Sequence, residues 1–572
     1  MSNQAPIIVL KFGSSVLRSE ADLPTAVHEI YRWWKEGHQV VAVVSAFGDT
    51  TDDLTRRAHE VCSEPDDSLL AALLATGETC SSALLGLSLN RAGIPTSVLD
   101  GEQAGLCTAG PILDSNLISV DAANIFRSLQ TGVVVLPGFV GRGERGQTTL
   151  LGRGGSDLTA LFLAHKLGGG CRLIKDVDGL YTSDPNSITG PNARRFDRIS
   201  YLTALKVGGA VVQPKTIEFA ETNRLRFFVS AIGSGRGTEV GAFADRIAFT
   251  DGPARPLRVS LFGCGTVGGG VYQRLAALPE LFEIVGVGTR NIDRAIQEDI
   301  PVRLLTTHLD KLVDQPVDAI IELIGGIEPA KTLVSKALRR GIHVVTANKA
   351  LLANYGDELE KLVDQTGATL RFSAAVGGVL PALETVRRLN DSVELVSVAG
   401  VLNGTSNFIL DELTKGSSFL QAVSLAQKHG YAEADPQADL NGTDAAHKLV
   451  LLARAAFGAD ISFASIHRVP LDKHIPFASR TRKLRVVAEC RRTTNGFDCS
   501  VAPVELHPQH PLAQVEGVGN RILIESSNGQ RWIVSGKGAG RWPTTEAVVA
   551  DLFDLRCEVE RESVSCAEEC VA

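Results

Sequence analysis

The sequence predicts an α/β protein with two largely parallel, helix-covered sheets and a following α+β region, and three observations carry this. Short apolar runs of strand length alternate with helical patterns from Ile7 to Val229, the order that gives parallel sheets covered on both faces. A second alternating series starts at Val259 and opens on a glycine-rich turn. At 572 residues the chain exceeds what one core supports, and its length fits three or four domains.

The glycine turn follows the run Val259-Ser260-Leu261-Phe262. Gly263, Gly265 and Gly268 stand at G-x-G-x-x-G spacing around Thr266 and Val267, and a helical pattern continues through Val271, Leu275 and Leu278. In such a unit the first glycine permits the tight turn and the second lets backbone approach a pyrophosphate. The third allows close helix–strand packing, and the helix N-terminus faces the phosphate charge. A second strand over 283–287 completes the pattern of a dinucleotide-binding Rossmann domain. That strand ends in Gly288-Thr289-Arg290 rather than in an acidic residue. A guanidinium there suits a 2′-phosphate, so NADP is the expected cofactor and NAD the alternative; a solvated surface arginine is the other reading.

Hydrophobic residues make up 44% of the chain and charged ones 21%, with a net charge of −8. This excludes a basic nucleic-acid surface and leaves small soluble molecules as the expected ligands. The ten cysteines show no C-x-x-C pair or zinc spacing, which predicts free thiols in a reducing cytoplasm. The N-terminus lacks the pattern of a signal peptide, and no run reaches the ~18 apolar residues of a membrane span, so no membrane is expected.

In the first half, polar punctuation falls at predicted strand ends. The strand over 7–11 ends in Lys11 and runs into Phe12-Gly13-Ser14-Ser15; such a turn offers backbone N–H groups to an anion, with Lys11 adding charge. Ser45 follows the strand over 40–44, Gly77-Glu78 lies in a helical pattern over 71–87, and the segment from Lys175 through Asp176 and Tyr181 to Pro185 follows another strand. The most informative stretch is Gly152-Arg153-Gly154-Gly155-Ser156-Asp157, ahead of a helix over 158–167. Its glycines and serine form an anion nest, Arg153 can clamp a carboxylate, and Asp157 is placed to hold Mg²⁺ or steady a phosphoryl acceptor. Phosphoryl transfer needs chiefly positioning and charge neutralisation.

The blocks KFGSS, VVSAFGDTTD, TGE, TTLLGRGGSD, DVDGLYTSDP and RISYLTALKVGGAVVQP resemble, in order, the amino-acid kinase family and within it aspartate kinase, over about residues 7–243. The resemblance implies ATP- and Mg²⁺-dependent phosphorylation of the aspartate side chain. Lys11, Gly13 and Ser14 would serve the ATP phosphates, Asp176 and Tyr181 the nucleotide side, Ser45 and Glu78 the aspartate, and Arg153 its carboxylates. Asp157 would join Lys11 in catalysis. Two departures stand out. The first loop is one residue shorter than K-F-G-G-T-S-V, and Val211 stands where G-A-K-V-L-H-P has a lysine; Lys206 and Lys215 are the nearby substitutes. The alternative is a degenerate kinase-like domain kept for oligomerisation or ligand sensing beside a monofunctional dehydrogenase. A kinase for another carboxylic amino acid, such as glutamate, draws on KFGSS but fits GRGGSD poorly.

The kinase-like domain is expected over 1–245 and a Gly/Pro-rich linker over 246–256. That linker is too short for the regulatory ACT domains that usually follow aspartate kinase, so threonine or lysine feedback through them is not expected.

Downstream, strands over 318–324 and 342–345 extend the sheet, the second ending in Thr346-Ala347-Asn348-Lys349. From Leu370 the chain reads as a strand, a glycine turn and a helix. An acidic, turn-rich stretch from Tyr431 then leads into a helix in which Asp444 and Lys448 share one face. That helix is otherwise apolar, so Lys448 should be enclosed, and burial would lower its pKa toward a value useful for proton transfer.

GCGTVG, TANKALLA, VLNGTSNFIL, YAEADP and DAAHK closely resemble homoserine dehydrogenase over about residues 257–555. The resemblance implies reversible hydride transfer between a nicotinamide cofactor and aspartate semialdehyde. Lys448 would be the acid/base, Glu433, Asp439 and Asp444 would hold the amino acid, and Lys349 would lie beside substrate and cofactor. Thr346, Asn403, Gly404 and Thr405 would pack near the nicotinamide. Val376 would offer a backbone carbonyl to a monovalent cation, although Ser373 and Val379 replace the family's glutamate and glycine there. The implied layout is a nucleotide-binding domain over 257–390, a catalytic and dimerisation domain over 391–530, and a C-terminal return with a frayed tail over 531–572. A homodimer or homotetramer is expected.

Overall fold

The computed structural model describes residues 5–184, 193–209, 211–248, 255–459, 461–473 and 482–569. Pro185, Ala210, linker positions 249–254 and tail positions 570–572 lie outside the described residues. The chain forms two compact units, 1–254 with 553–572, and 255–552.

The first unit is built on a nine-stranded sheet. Its order is Arg246–Ile247, Phe196–Ser200, Thr238–Gly241, Phe227–Ala231, Gly170–Lys175, Ile7–Phe12, Gln39–Val44, Val133–Pro137 and Thr96–Val98. The central pairings are parallel, and strands such as Val40 to Val44 are wholly buried, as a sheet covered on both faces requires. Thr238–Gly241 belongs to this sheet, and so does Arg246–Ile247, so the start of the linker expected over 246–256 is instead an edge strand of the first unit. A four-stranded sheet, Asn116–Val120, Leu106–Ala109, Val140–Arg142 and Thr148–Leu150, accompanies it.

The helix Asp67–Ala92 is long and apolar enough, by length and composition, to cross a membrane. Its apolarity serves packing against the strand Val133–Pro137 and the helix Leu23–Lys35, with Leu85 and Leu89 fully buried.

In the second unit six strands form a parallel sheet in the order Leu305–Thr306, Phe282–Gly288, Leu257–Phe262, Ala319–Glu322, His343–Thr346, Leu370–Arg371. Numbered along the chain this is 3-2-1-4-5-6, the doubly wound order whose switch point lies at the end of the first strand. A second, mostly antiparallel sheet runs His467–Arg468, Gly496–Leu506, Lys483–Thr493, Leu395–Val401, Gly519–Ser526, Arg531–Lys537. The helices Ala382–Asn390 and Thr443–Phe457 pack together, so the first of them groups with the catalytic region.

The C-terminus differs most from expectation. Arg531–Lys537 is a strand of the antiparallel sheet, and the return to the nucleotide-binding part begins with the helix Arg541–Glu569, where Glu546 pairs with Arg274 at 2.9 Å. The expected frayed tail is helical to Glu569. From Phe553 onward it counts with the first unit, where Asp554 takes Lys35 at 2.6 Å and Arg32 at 3.0 Å. These partners, invisible in the local sequence, hold the segment.

Candidate active sites

The dinucleotide turn has the expected geometry. Gly263 has φ +99°, and a Cβ there would meet the Leu323 carbonyl at 2.5 Å; at Gly268 it would meet the Gly263 carbonyl at 2.0 Å. Gly265 faces open space. It is also the N-cap of the helix Thr266–Ala276 and supplies no side-chain cap, so the first N–H groups of that helix remain available to an anion. These residues fit a dinucleotide pyrophosphate. Val267 carries its carbonyl toward Thr545. Arg290 is exposed just past the strand Phe282–Gly288, and Arg294, unforeseen from the sequence, donates to Thr266 Oγ1 at 3.1 Å. Two guanidiniums therefore stand where one was expected.

At the ends of the next two strands the sequence hid a hub. Glu322 is fully buried and accepts from Thr346 Oγ1 at 2.6 Å, Ile324 N–H at 2.8 Å and Gly325 N–H at 3.2 Å. Asn348 donates to the Gly326 carbonyl at 2.6 Å, while its Oδ1 caps the helix Lys349–Thr366 through Leu351 N–H. Thr346 is thus a supporting residue that fixes the start of that helix and with it Lys349. Burial pushes the Glu322 carboxyl up, against the hydrogen bonds that favour its ionised form.

Lys349 and the helix Thr443–Phe457 meet at Asp444. Its Oδ2 accepts from Lys448 at 2.7 Å and from Asn403 at 2.9 Å, and its Oδ1 pairs with Lys349 at 2.9 Å. Lys448 also donates to the Leu402 carbonyl at 2.7 Å, and Asn403 also donates to Asp439 at 2.6 Å. Burial opposes ionisation of Asp444, but the two ammoniums outweigh it and hold the carboxyl far below its usual range. Burial lowers Lys448, against the pull of Asp444, whereas the Asp444 charge raises Lys349. Burial raises Asp439.

Asp444 thus organises two lysines, with Lys448 and Asn403 on Oδ2 and Lys349 on Oδ1. Glu433 is exposed and, among the described residues, makes no side-chain hydrogen bond, although its charge raises Lys349. Gly404 lies against Val518, which a Cβ would reach at 2.7 Å, and Thr405 donates to the Tyr431 carbonyl at 2.6 Å. Val376 is fully buried beside Ser373, whose N–H and hydroxyl both donate to Asp551, at 2.9 and 2.7 Å. That Asp551 contact occupies Ser373, where the family carries its glutamate. A cavity of about 440 Å³ lies further along the same two helices, between Leu352, Phe372 and Leu451, and not over Lys448.

The first unit repeats the device. Asp157, in the first turn of the helix Gly155–Leu167, pairs with Lys11 at 2.8 Å and with Lys175 at 2.7 Å, and all three are buried. Burial works against its ionisation, but the lysines prevail and lower its pKa. The expectation that Asp157 holds Mg²⁺ meets a carboxylate with an ammonium on each oxygen, which does not fit a metal ligand. Among the described residues no group of three His, Cys, Asp or Glu side chains is placed to hold a metal. Glu78 is buried nearby and accepts from the Ala46 N–H; burial pushes its carboxyl up to about 8. Gly13 sits over the Lys11 ammonium, where a Cβ would come within 2.8 Å. Ser14, Arg153 and Asp176 are exposed and Ser45 half-buried around this centre, whereas Tyr181 donates to Asp178 at 2.5 Å. Lys175, which the sequence marked only as the start of the polar segment after a strand and gave no role, is the structure's addition to this centre.

A doubly wound sheet with an uncapped glycine turn, facing a buried lysine–aspartate centre, defines an oxidoreductase with a nicotinamide-dinucleotide domain. Residues 263–373 match the family model described as homoserine dehydrogenase, NAD binding domain, and 381–553 that of homoserine dehydrogenase; 6–230 match the amino acid kinase family. A homoserine dehydrogenase of a Synechocystis species is 36% identical over 320 residues, 52% of this chain and 73% of the relative. That of Neisseria gonorrhoeae is 34% identical over 323 residues, 54% and 74% of the two chains. A homoserine dehydrogenase structure from Thiobacillus denitrificans superposes with a TM-score of 0.51 at 37% identity, covering 53% of this chain and 74% of that one. The chain belongs to the homoserine dehydrogenase family, with an amino acid kinase family domain fused ahead of it.

Proposed function

We propose that the second unit interconverts aspartate semialdehyde and homoserine with Lys448 as the proton-transferring group, and that the first phosphorylates the side-chain carboxylate of aspartate from ATP. The observation that carries the first claim is the pinning of Lys448. Two of its N–H groups are spent on Leu402 and Asp444, which leaves one for the substrate oxygen. A nicotinamide dinucleotide, held at Gly263 to Gly268, supplies or takes the hydride. In the reducing direction Lys448 donates a proton to the former carbonyl oxygen; in the oxidising direction its neutral amine removes the hydroxyl proton. Asp444 keeps Lys448 aimed and Lys349 in place, and Asp439 and Glu433 take the substrate ammonium. Arg290 and Arg294 favour a 2′-phosphate and hence NADP.

The kinase reading rests on the buried Lys11–Asp157–Lys175 cluster at the carboxyl ends of the central strands, where α/β sheets bind ligands. Glu78 and Arg153 take the aspartate. The edge strand Arg531–Lys537 with half-exposed Ile533 supports assembly through the antiparallel sheet, as a homodimer or homotetramer. Ten cysteines without a disulfide-type pattern support a cytoplasmic setting.

Lys448→Ala tests the dehydrogenase reading. Semialdehyde reduction should fall by roughly 1,000-fold or more, in the range that removal of a proton-transferring group produces, while NADPH binding persists. Near-normal turnover would overturn the role.

A further inference from the structure

We propose that Lys175 is the second phosphate-neutralising cation of the first unit, doing from a different strand what the family's lysine does at the position held here by Val211. The inference deepens the kinase reading and rests on it. Lys11 and Lys175 lie at the carboxyl ends of adjacent parallel strands, Ile7–Phe12 and Gly170–Lys175, in which Lys11 pairs with Leu173. Asp157 pairs with both, at 2.8 and 2.7 Å, while exposed Asp176 acts on Lys175 and Glu78 on Lys11 only through their fields. With Glu78 pushed up to about 8 and Asp176 exposed, two buried ammoniums share one ion-paired carboxylate, an arrangement that favours the arrival of an anion.

Independent features aim that charge at phosphate. The helix Gly155–Leu167 begins at Gly154, which has φ +79° and gives no side-chain cap; Gly155 N–H is spent on the Gly152 carbonyl, which leaves the N–H groups of Ser156 and Asp157 in the turn that carries the Asp157 carboxylate. Gly13 keeps the space over the Lys11 ammonium clear of any side chain.

The sequence candidates for the missing cation are otherwise engaged. Lys215 donates to Asp114 at 2.9 Å and to the carbonyls of Ser115 and Leu151 at 3.3 and 3.0 Å. Lys206 is exposed at the end of the helix Tyr201–Val207, in the field of Asp245. Val211 packs against the apolar core. In the transfer the γ-phosphorus–oxygen bond to ADP breaks as a new one forms to the aspartate carboxylate oxygen, giving ADP and an acyl phosphate. Lys175 offsets charge throughout and gives up no proton.

The test is hydroxylamine trapping of the acyl phosphate with the full-length chain. Lys175→Met should lower kcat about 100-fold, the scale of losing one preorganised donor, with the KM for aspartate little changed. Lys175→Arg should retain most activity, and Lys175→Met/Val211→Lys should regain at least about tenfold over the single variant. Should Lys175→Met fail to fold, Lys175→Gln keeps a hydrogen bond to Asp157 without the charge and replaces it. Wild-type kcat in the charge-removing variant, or no gain from Val211→Lys, overturns the proposal. An acyl phosphate missing even from the wild-type chain, beside a working dehydrogenase, instead overturns the kinase reading beneath it.

Discussion

Lys448 Nζ lies 2.7 Å from Asp444 Oδ2, one helical turn away on the same buried helix. In the proposed role of Lys448 this pair sets its proton affinity: burial lowers Lys448, and the Asp444 charge works to raise it. Asp444→Asn removes that opposing charge, so Lys448 should titrate still lower. Homoserine oxidation needs the neutral amine, so its activity limb should move to more acidic pH while kcat falls through lost orientation. The pH profile of kcat for oxidation checks this, and a limb shifted toward alkaline pH would contradict it.

The glycine turn gives paired outcomes. Gly265→Ala fills the open approach without a clash, so unfolding should be near wild type and NADP affinity should drop by about tenfold or more. Gly268→Ala drives a Cβ to 2.0 Å from the Gly263 carbonyl and should destabilise the unit itself, by about 1–3 kcal/mol. Calorimetry and cofactor titration separate the two.

Cofactor preference should depend on both arginines of the crevice. Arg290→Asp should shift the ratio of kcat/KM values toward NAD, and Arg290→Asp/Arg294→Ala should shift it further, since Arg294 donates to Thr266 at the same turn. An unchanged ratio in the double variant would remove both from cofactor recognition.

Glu322→Ala should cost several kcal/mol, because each buried donor left without its acceptor costs about 1–3 kcal/mol. It should also raise the KM for substrate, because Asn348 and the start of the Lys349 helix lose their anchor. Urea unfolding of the full chain with steady-state kinetics tests both.

These outcomes show which parts of the molecule were legible in the sequence. The strands and the glycine turn follow from local periodicity and backbone sterics, and Asp444 with Lys448 follows from helical spacing. Glu322 and Lys175 were given no role, because Glu322 sits inside the apolar run 318–324 and Lys175 opens a polar stretch, and only the neighbours supplied by the fold show what each holds. Arg294 needed the fold of the turn to reach Thr266. The C-terminal helix was missed for a similar reason: Asp554 is ordered by Arg32 and Lys35, more than 500 residues earlier. The pairing of Asp157 with Lys11 and Lys175, and of Asp444 with Lys349, likewise came only with the fold.

Glu78 should make the first unit sensitive to pH. Its carboxyl, near 4.5 when unfolded, is pushed by burial up to about 8. The folded chain therefore keeps a proton that the unfolded chain loses, and this contribution to stability is full below 4.5 and declines as the pH rises toward 8. Glu78→Gln should flatten that slope in the first unit's unfolding transition, by an amount on the order of a few kcal/mol between the two ends. An unchanged slope would mean that Glu78 is ionised in the fold.

The most direct measurement is aspartate-dependent ATP turnover by the purified chain, trapped as the hydroxamate, with Asp157→Asn as the blank and semialdehyde reduction followed in the same preparation. Two enzymes on one chain predict signal well above the blank beside a working dehydrogenase. A working dehydrogenase with no signal above the blank would contradict that claim and leave the first unit as a scaffold or a sensor.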